Sequence, residues 1–193
     1  MGGVANRSAL RNLLLLLAIA ATAALLLIEL GHVQSERLHI TSSSMQPTLR
    51  VGQIVRLDTS AYSSSLPQIG DIVAIRAPAG ATGDSPVCGV PRPGGEVCPQ
   101  ATPERTSQIF VKRVVAGPGD TIAVLDGKVV RNGTPQNEPF AAPCGGSQEC
   151  NFPVPAQLPS GEWFLLGDDR GASDDSRNWG PVPTSWILGK VVK

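Results

Sequence analysis

Short hydrophobic runs rich in valine and isoleucine recur along the chain after residue 50, and turn residues separate them. Such runs are typical of β-strands. Asp126-Gly127 between two of the runs predicts a tight hairpin, whereas helical periodicity is poor in this part of the chain. We therefore predict a mainly β fold built on antiparallel sheet. The runs occupy residues 52–57, 70–76, 108–115, 121–125, 128–130, 163–166 and 186–192.

One segment departs from this pattern, because residues 13–28 contain no charged side chain. A membrane-spanning helix needs about 20 residues, with roughly 17 tolerated, so we predict a single transmembrane anchor over 13–30. Arg7 and Arg11 precede it, which places residues 1–12 in the cytoplasm and 31–193 outside by the positive-inside rule. A cleaved signal peptide is the alternative, but no Ala-x-Ala site follows the segment. Either interpretation exports the β domain.

The four cysteines all follow this segment, which agrees with an oxidising compartment. Two stretches, 77–107 and 134–160, are rich in loop residues and each contains two of the cysteines. Three pairings are open, and we favour the local one, which closes one loop in each stretch. The chain has no Cys-x-x-Cys motif, so we expect no metal site and no cofactor. The favoured pairs are Cys88–Cys98 and Cys144–Cys150.

The net charge is zero, with 16 basic and 16 acidic residues. A nucleic-acid-binding protein would need a basic excess, so we expect no nucleic-acid partner.

The candidate chemistry lies in a serine and a lysine, because the histidines are poorly placed for catalysis. His32 follows the predicted anchor, and His39 lies five residues from Ser44 along an extended stretch. Lys112 lies within the hydrophobic run 108–115, where lost hydration lowers an amine's pKa and prepares it to act as a base. From this run alone, a solvent-facing lysine on an edge strand remains the simpler interpretation.

Three motifs change that interpretation. The first is Ser42-x-Ser44-Met45-x-Pro47-Thr48-Leu49. The second is Lys112-Arg113-Val114-Val115 followed by Pro118-Gly119-Asp120. The third is Gly167-Asp168-x-Arg170 followed by Ser173-x-Asp175-Ser176-Arg177. In this order they resemble the signature boxes of type I signal peptidases, the Ser-Lys peptidases of family S26, and Gly70-Asp71-Ile72-Val73 resembles a further box. The short insertions and the single anchor resemble a Gram-positive member, and the Ala, Gly, Pro and Arg content suggests a high-GC one.

The resemblance implies a role for each residue. Ser44 is the expected nucleophile and Lys112 the general base, while the Ser44 N–H and the Ser42 hydroxyl form the oxyanion hole. Ser173 is expected to donate to or accept from the Lys112 amine and to orient it. Two ion pairs are expected to hold the loops: Asp175 with Arg177, and Asp168 with Arg113.

The resemblance also implies a substrate, a preprotein with small residues at the first and third positions before the cut. Its strand would add to backbone near residues 71–74 and 108–110, with Asp71, Ile72 and Val73 among the contacts. Lipid and the translocation machinery are the expected neighbours at the plasma membrane. The apolar positions expected to line the pockets, although some could simply be core, are Ile40, Met45, Leu49, Phe110 and Val111.

Two other functions stay open on the sequence. One is a related Ser-Lys protease with a dedicated substrate, such as a conjugative pilin-maturation peptidase. The other is a non-enzymatic anchored β module that binds a partner outside the cytoplasm.

Overall fold

The computed structural model describes residues 4–30, 35–81, 87–92, 94–145 and 150–192. It divides the chain into two units, Met1–Gln34 and Ser35–Lys193. The first unit contains one helix, α1 (Val4–Leu30), whose described side chains are exposed. Within the described part of the chain, no helix is both long enough and apolar enough to cross a membrane. His32 and residues 1–3 of the predicted N-terminal segment lie outside the described residues.

The second unit is mainly antiparallel β structure, as the hydrophobic runs predict. Its only described α-helix, α2 (Ser176–Trp179), is one turn long. The strands are β1 (Ser35–His39), β2 (Ile54–Asp58), β3 (Ile72–Pro78), β4 (Arg105–Ala116), β5 (Thr121–Leu125), β6 (Lys128–Arg131), β7 (Thr134–Pro135), β8 (Phe152–Gln157), β9 (Glu162–Leu166), β10 (Val182–Pro183) and β11 (Ile187–Val192).

In the described residues these strands form two sheets. The larger has seven strands in the order β1-β2-β11-β3-β4-β9-β10, and the smaller has four in the order β7-β6-β5-β8. The β5–β6 hairpin turns at Asp126 and Gly127, both with positive φ. Two buried clusters fill the larger sheet's sides, one around Ile75, Trp163 and Trp179 and the other around Met45 and Leu49; a third cluster packs the smaller sheet against β9.

The stretch 134–160, predicted as loop, contains two strands, β7 and β8. Pro153 and Pro155 within β8 conceal it in the sequence, because proline removes a backbone donor. The sheet tolerates them since β8 is an edge strand that pairs only with β5 among the described strands. The stretch 77–107 is mostly irregular, and β4 begins at its end.

The long strand β4 is paired differently on its two edges, and this difference positions the site. One edge pairs with β3 from Arg105 to Arg113. The other pairs with β9 only from Arg113 onward. In the described part of the chain, the second edge is therefore unpaired over residues 105–112.

Candidate active site

Ser44 and Lys112, which are 68 residues apart in the sequence, meet in the structure. Lys112 lies on β4, and its Nζ donates a hydrogen bond to Ser44 Oγ at 2.9 Å. Ser44 begins a turn that follows β1, in which the Gln46 N–H donates to Ser43 O and the Gln46–Pro47 peptide bond is cis. A hydroxyl and an amine at this distance can exchange a proton directly.

Burial sets the protonation of Lys112, which is only 4% exposed. Loss of hydration lowers the pKa of its amine from 10.5 to about 8, although the carboxylates of Asp175 and Asp174 act in the opposite direction. The Phe110 ring covers the amine at 5.5 Å from Nζ to the ring centroid. Near neutral pH, an appreciable fraction of this lysine therefore carries no charge and can accept a proton.

Two donors lie beside the Ser44 hydroxyl. Ser42 Oγ is 3.2 Å from Ser44 Oγ. Among the described residues, no hydrogen-bond acceptor contacts the Ser44 N–H, while the Ser44 carbonyl accepts from the Asp169 N–H at 3.0 Å. The Ser44 N–H and the Ser42 hydroxyl are thus available to an oxygen that develops negative charge.

Arg113, next to Lys112 on β4, is paired with Asp168. Its Nε and Nη2 donate to the two carboxylate oxygens at 2.8 and 2.6 Å, and its Nη1 donates to Gly70 O at 2.8 Å. The Phe140 ring stacks on the guanidinium. Because Asp168 is fully buried, this bidentate pair fixes the end of β9 and the turn at Gly70 against β4.

Asp175 and Arg177 form the second predicted pair, with distances of 2.7 and 2.9 Å. Asp175 also accepts from the Gly167 N–H at 3.0 Å and caps α2 through the Arg177 N–H. Burial alone would raise the Asp175 pKa, but Arg177 outweighs it and holds the pKa below its usual value. Arg177 in turn donates to the carbonyls of Arg170 and Ser173. The pair therefore ties together the whole loop from 167 to 177.

Ser173 lies in the site but lacks its expected partner. Its hydroxyl is buried and makes no hydrogen bond to any described residue, so the expected bond to Lys112 is absent. Gly167 lies between Ser173 and Ser44. A Cβ placed on Gly167 would collide with Ser173 Oγ and lie 2.5 Å from Ser44 O. Since this backbone leaves no room for a side chain, glycine is required at 167.

Arg170, to which the sequence assigned no role, joins this loop to the smaller sheet. It forms a bidentate pair with Glu138 at 2.6 and 3.0 Å and donates to Gly167 O at 2.9 Å and to Gly127 O. Both side chains are buried, 1% and 7% exposed. Glu138 lies in a stretch predicted as loop, so nothing in the sequence indicated that it pairs with Arg170.

Both disulfides are the local ones. Cys88 pairs with Cys98, and Cys144 pairs with Cys150. The Cys98 N–H donates to Arg177 O at 2.9 Å, and Cys144 Sγ is 3.9 Å from an Arg177 nitrogen. Each disulfide thus contacts the loop that carries Ser173 and Asp175. The described residues contain no group of three or more metal-ligand side chains.

The predicted pocket residues fall into two groups. Ile40, Met45 and Leu49 are at most 5% exposed and belong to the core. Phe110 and Val111 are half-buried on the part of β4 that has a free edge. Of the five, only these two have partly exposed surface along that edge, and they pack against different buried clusters, Phe110 with Trp163 and Val111 with Met45. The pocket role of the five residues stays a prediction.

The predicted contact with residues 71–74 differs from the structure. β3 is an interior strand, in which Val73 and Ala74 are paired with both β4 and β11, so it offers no free edge there. Ile72 is buried. The Asp71 carboxylate binds Lys190 at 2.6 Å and the Tyr62 hydroxyl at 2.9 Å. Asp71 therefore has a structural role in joining β3 to β11.

Comparison with known proteins identifies the family of the chain. The profile of the family described as "Signal peptidase, peptidase S26" matches residues 10–193. The chain belongs to the S26 peptidase family. A probable signal peptidase I-1 of Synechocystis is 32% identical over 177 residues, covering 92% of this chain and 78% of the relative. The signal peptidase I of Leptolyngbya laminosa is 30% identical, covering 82% and 67%.

Two further similar proteins differ from this chain in length. A probable thylakoidal processing peptidase 2 of Arabidopsis thaliana is 37% identical over 79% of this chain, which spans only 36% of that relative. A crystal structure of a signal peptidase I from Enterococcus faecalis is 24% identical, with a TM-score of 0.45, and covers 65% of this chain and 97% of its own. The assignment to a Gram-positive, high-GC type stays a prediction from the sequence.

Proposed function

We propose that this S26 peptidase is a serine endopeptidase that removes N-terminal signal peptides from exported preproteins. The observation that carries the proposal is the buried Lys112 amine, 2.9 Å from the Ser44 hydroxyl, with a pKa near 8. No described histidine can replace it, because His39 lies exposed on β1. A non-enzymatic β module would not need a desolvated amine beside a serine, so we set that alternative aside.

The reaction begins with neutral Lys112, which accepts the proton of Ser44 Oγ as that oxygen attacks the carbonyl carbon before the cut. Negative charge develops on the carbonyl oxygen, and the Ser44 N–H and the Ser42 hydroxyl donate to it. The Lys112 ammonium then gives its proton to the departing amine, which becomes the N-terminus of the mature protein. An acyl-enzyme on Ser44 remains.

Water completes the turnover. Lys112, neutral again, accepts a proton from a water molecule that attacks the ester, and it then returns the proton to Ser44. The two ion pairs, Arg113–Asp168 and Asp175–Arg177, support the site by keeping β4 and the loop from 167 to 177 in place. Ser173 lies beside this pair of reacting groups, and we assign it the role of orienting the lysine once substrate is bound.

The substrate strand pairs with the free edge of β4 over residues 105–112, which is the usual way that an extended peptide joins a sheet. Its residues before the cut lie beside Val111, which packs against the cluster of Met45 and its neighbours, while Phe110 packs on the opposite face of the sheet. Small residues, typically alanine, suit this shallow apolar surface. A dedicated processing protease would use the same edge, so substrate range distinguishes it from a general signal peptidase.

We also propose that residues 13–30 anchor the protein in the plasma membrane, with 1–12 in the cytoplasm and the β domain outside. Among the described residues no helix, α1 included, is long and apolar enough to span a membrane, so this proposal rests on the sequence. The support is the uncharged run 13–28 behind Arg7 and Arg11. The substrate would then be met at the membrane, beside lipid and the translocation machinery.

The test is cleavage of a preprotein with an Ala-x-Ala site by the wild type, Ser44→Ala and Ser43→Ala. We expect Ser44→Ala to lose all measurable cleavage and Ser43→Ala to keep most of it, since only Ser44 contacts Lys112. Mass spectrometry of the product locates the cut. Equal losses in the two variants would show that the turn is needed only for structure, and cleavage of a single preprotein among many would favour the dedicated protease.

A further inference from the structure

A polar cavity lies beside the loop that carries Ser173 in the candidate active site. Its volume is about 240 Å³, and its lining includes Arg170, Ala172, Ser173, Asp174, Arg177 and Asn178. Ser173, one of these residues, has a buried hydroxyl without a hydrogen-bond partner among the described residues. The reaction proposed above uses Ser173 but leaves the remainder of this cavity without a role.

The pairing of β4 determines which part of a substrate reaches this cavity. A peptide on the free edge at 105–112 cannot continue along β4 beyond Lys112, because Leu166 of β9 pairs with Arg113 on that edge. The chain then proceeds from β9 into Gly167 and the loop to Arg177. Residues after the cut must therefore leave the sheet at Ser44 and pass over this loop.

Asp174 is the charged group that such residues meet. It is exposed, between buried Ser173 and buried Asp175, and it forms no ion pair with any described residue. Its charge acts on Lys112, whose pKa it raises, which indicates that it lies close to the reacting groups. The motif around it fixes Ser173 and Asp175 but not position 174.

The other charges around the cavity do not cancel Asp174. Arg170 is neutralised by Glu138 and Arg177 by Asp175, each through a bidentate pair. Arg113 is likewise paired with Asp168, and half-exposed Asp169 adds a further negative charge. Exposed Arg92 is a further cation nearby, since its Nη1 donates to Arg177 O at 3.2 Å. Asp174 and Asp169 are two carboxylates against this one guanidinium, so the surface that the departing chain crosses keeps a net negative charge.

We propose that Asp174 is a specificity-determining residue, which favours preproteins with basic side chains and disfavours those with acidic side chains immediately after the cut. This inference rests on the proposed function, because it concerns the residues after the cut in the same substrate. The newly formed N-terminal amine gains from the same carboxylate. Opposite charges a few ångströms apart near a protein surface interact strongly enough to change rates several-fold.

The experiment compares two test preproteins that differ only at the second residue after the cut, lysine in one and glutamate in the other. The full-length protein in detergent at low salt is assayed for kcat/KM on each. The lysine-to-glutamate ratio is the readout, because any effect of Asp174 on the pKa of Lys112 changes both rates equally and cancels. We expect a ratio on the order of 10 for the wild type, about 1 for Asp174→Asn and below 1 for Asp174→Lys.

Asp126→Asn is the matched control, since Asp126 is exposed in the β5–β6 hairpin and outside the cavity; it should keep the wild-type ratio. A second control moves the lysine or glutamate to a position well before the cut, where Asp174→Asn should change nothing. An equal ratio in wild type and Asp174→Asn would overturn the inference, as would loss of all cleavage in both Asp174 variants. Failure of the wild type on both preproteins would instead refute the proposed function.

Discussion

Replacing Lys112 by arginine tests whether the amine acts as a base or only as a positive charge. Arginine keeps the charge but does not lose its proton in proteins, so it cannot accept the Ser44 proton. We expect Lys112→Arg to be as inactive as Lys112→Ala. Arg56→Lys, an exposed arginine on β2, is a matched control that should keep full activity.

The pH dependence of the wild type gives the magnitude. With a pKa near 8, about 9% of Lys112 is neutral at pH 7, against about 0.03% for an amine at 10.5, a gain of roughly 300-fold. The value of kcat/KM should rise about 50-fold between pH 6 and pH 8 and level off above pH 9. The assay is cleavage of a preprotein across this range with fixed ionic strength. A flat profile, or turnover by Lys112→Arg above a tenth of wild type, would refute the base assignment.

The same burial also has an effect on stability. The pKa of the Lys112 amine is lower in the folded than in the unfolded protein, so between pH 8 and 10.5 the unfolded chain binds the amine's proton more tightly. The free energy of unfolding should therefore be reduced by about 3 kcal/mol at pH values below 8, a cost that disappears as pH rises through 10.5. Urea unfolding of Lys112→Met against wild type should show the variant to be more stable at pH 7 and this advantage lost at pH 10.5.

Two further predictions concern the supports of the site. Glu138→Gln should lower the free energy of unfolding by about 3 kcal/mol because it leaves buried Arg170 without its counter-charge, and it should also reduce cleavage. Chemical denaturation measures the loss, with exposed Glu36→Gln as the control. A loss below about 1 kcal/mol would contradict the structural role of the Arg170–Glu138 pair. Replacing both cysteines of one disulfide by serine should cost about 2 kcal/mol for Cys144–Cys150 and about 3 for Cys88–Cys98, measured as the shift in Tm; peptide maps under non-reducing conditions that join the two loops would contradict the pairing.

The sequence predicted the strands in which apolar and polar side chains alternate, and those with an uninterrupted apolar run. β3, β4, β5 and β9 follow their valine- and isoleucine-rich runs closely, and Asp126-Gly127 placed the hairpin. β1 and β8 were missed because edge strands need few hydrophobic residues. β8 in addition carries two prolines, which only an edge position accommodates.

The site was predictable only as far as the motifs reach. Ser44 and Lys112 are 68 residues apart, and no spacing rule joins them; their pairing came from the resemblance. Partners outside the motifs were not accessible: Arg170 belongs to the third motif, but its partner Glu138 lies in a loop that no motif includes. The interior position of β3 was beyond the sequence because it follows from the order of the strands in the sheet. The missing bond at Ser173 was equally beyond it, because it depends on how the loop from 167 to 177 lies against Lys112.

Gly167 determines how this active site tolerates change. A methyl group at that position would occupy space now filled by Ser173 and by the Ser44 carbonyl, so even alanine would push these groups out of place. The residue takes no part in proton transfer, and its backbone N–H is already held by Asp175. The site is consequently least tolerant of substitution at a residue that takes no part in the chemistry, because even alanine at 167 would displace Ser173 and the Ser44 carbonyl.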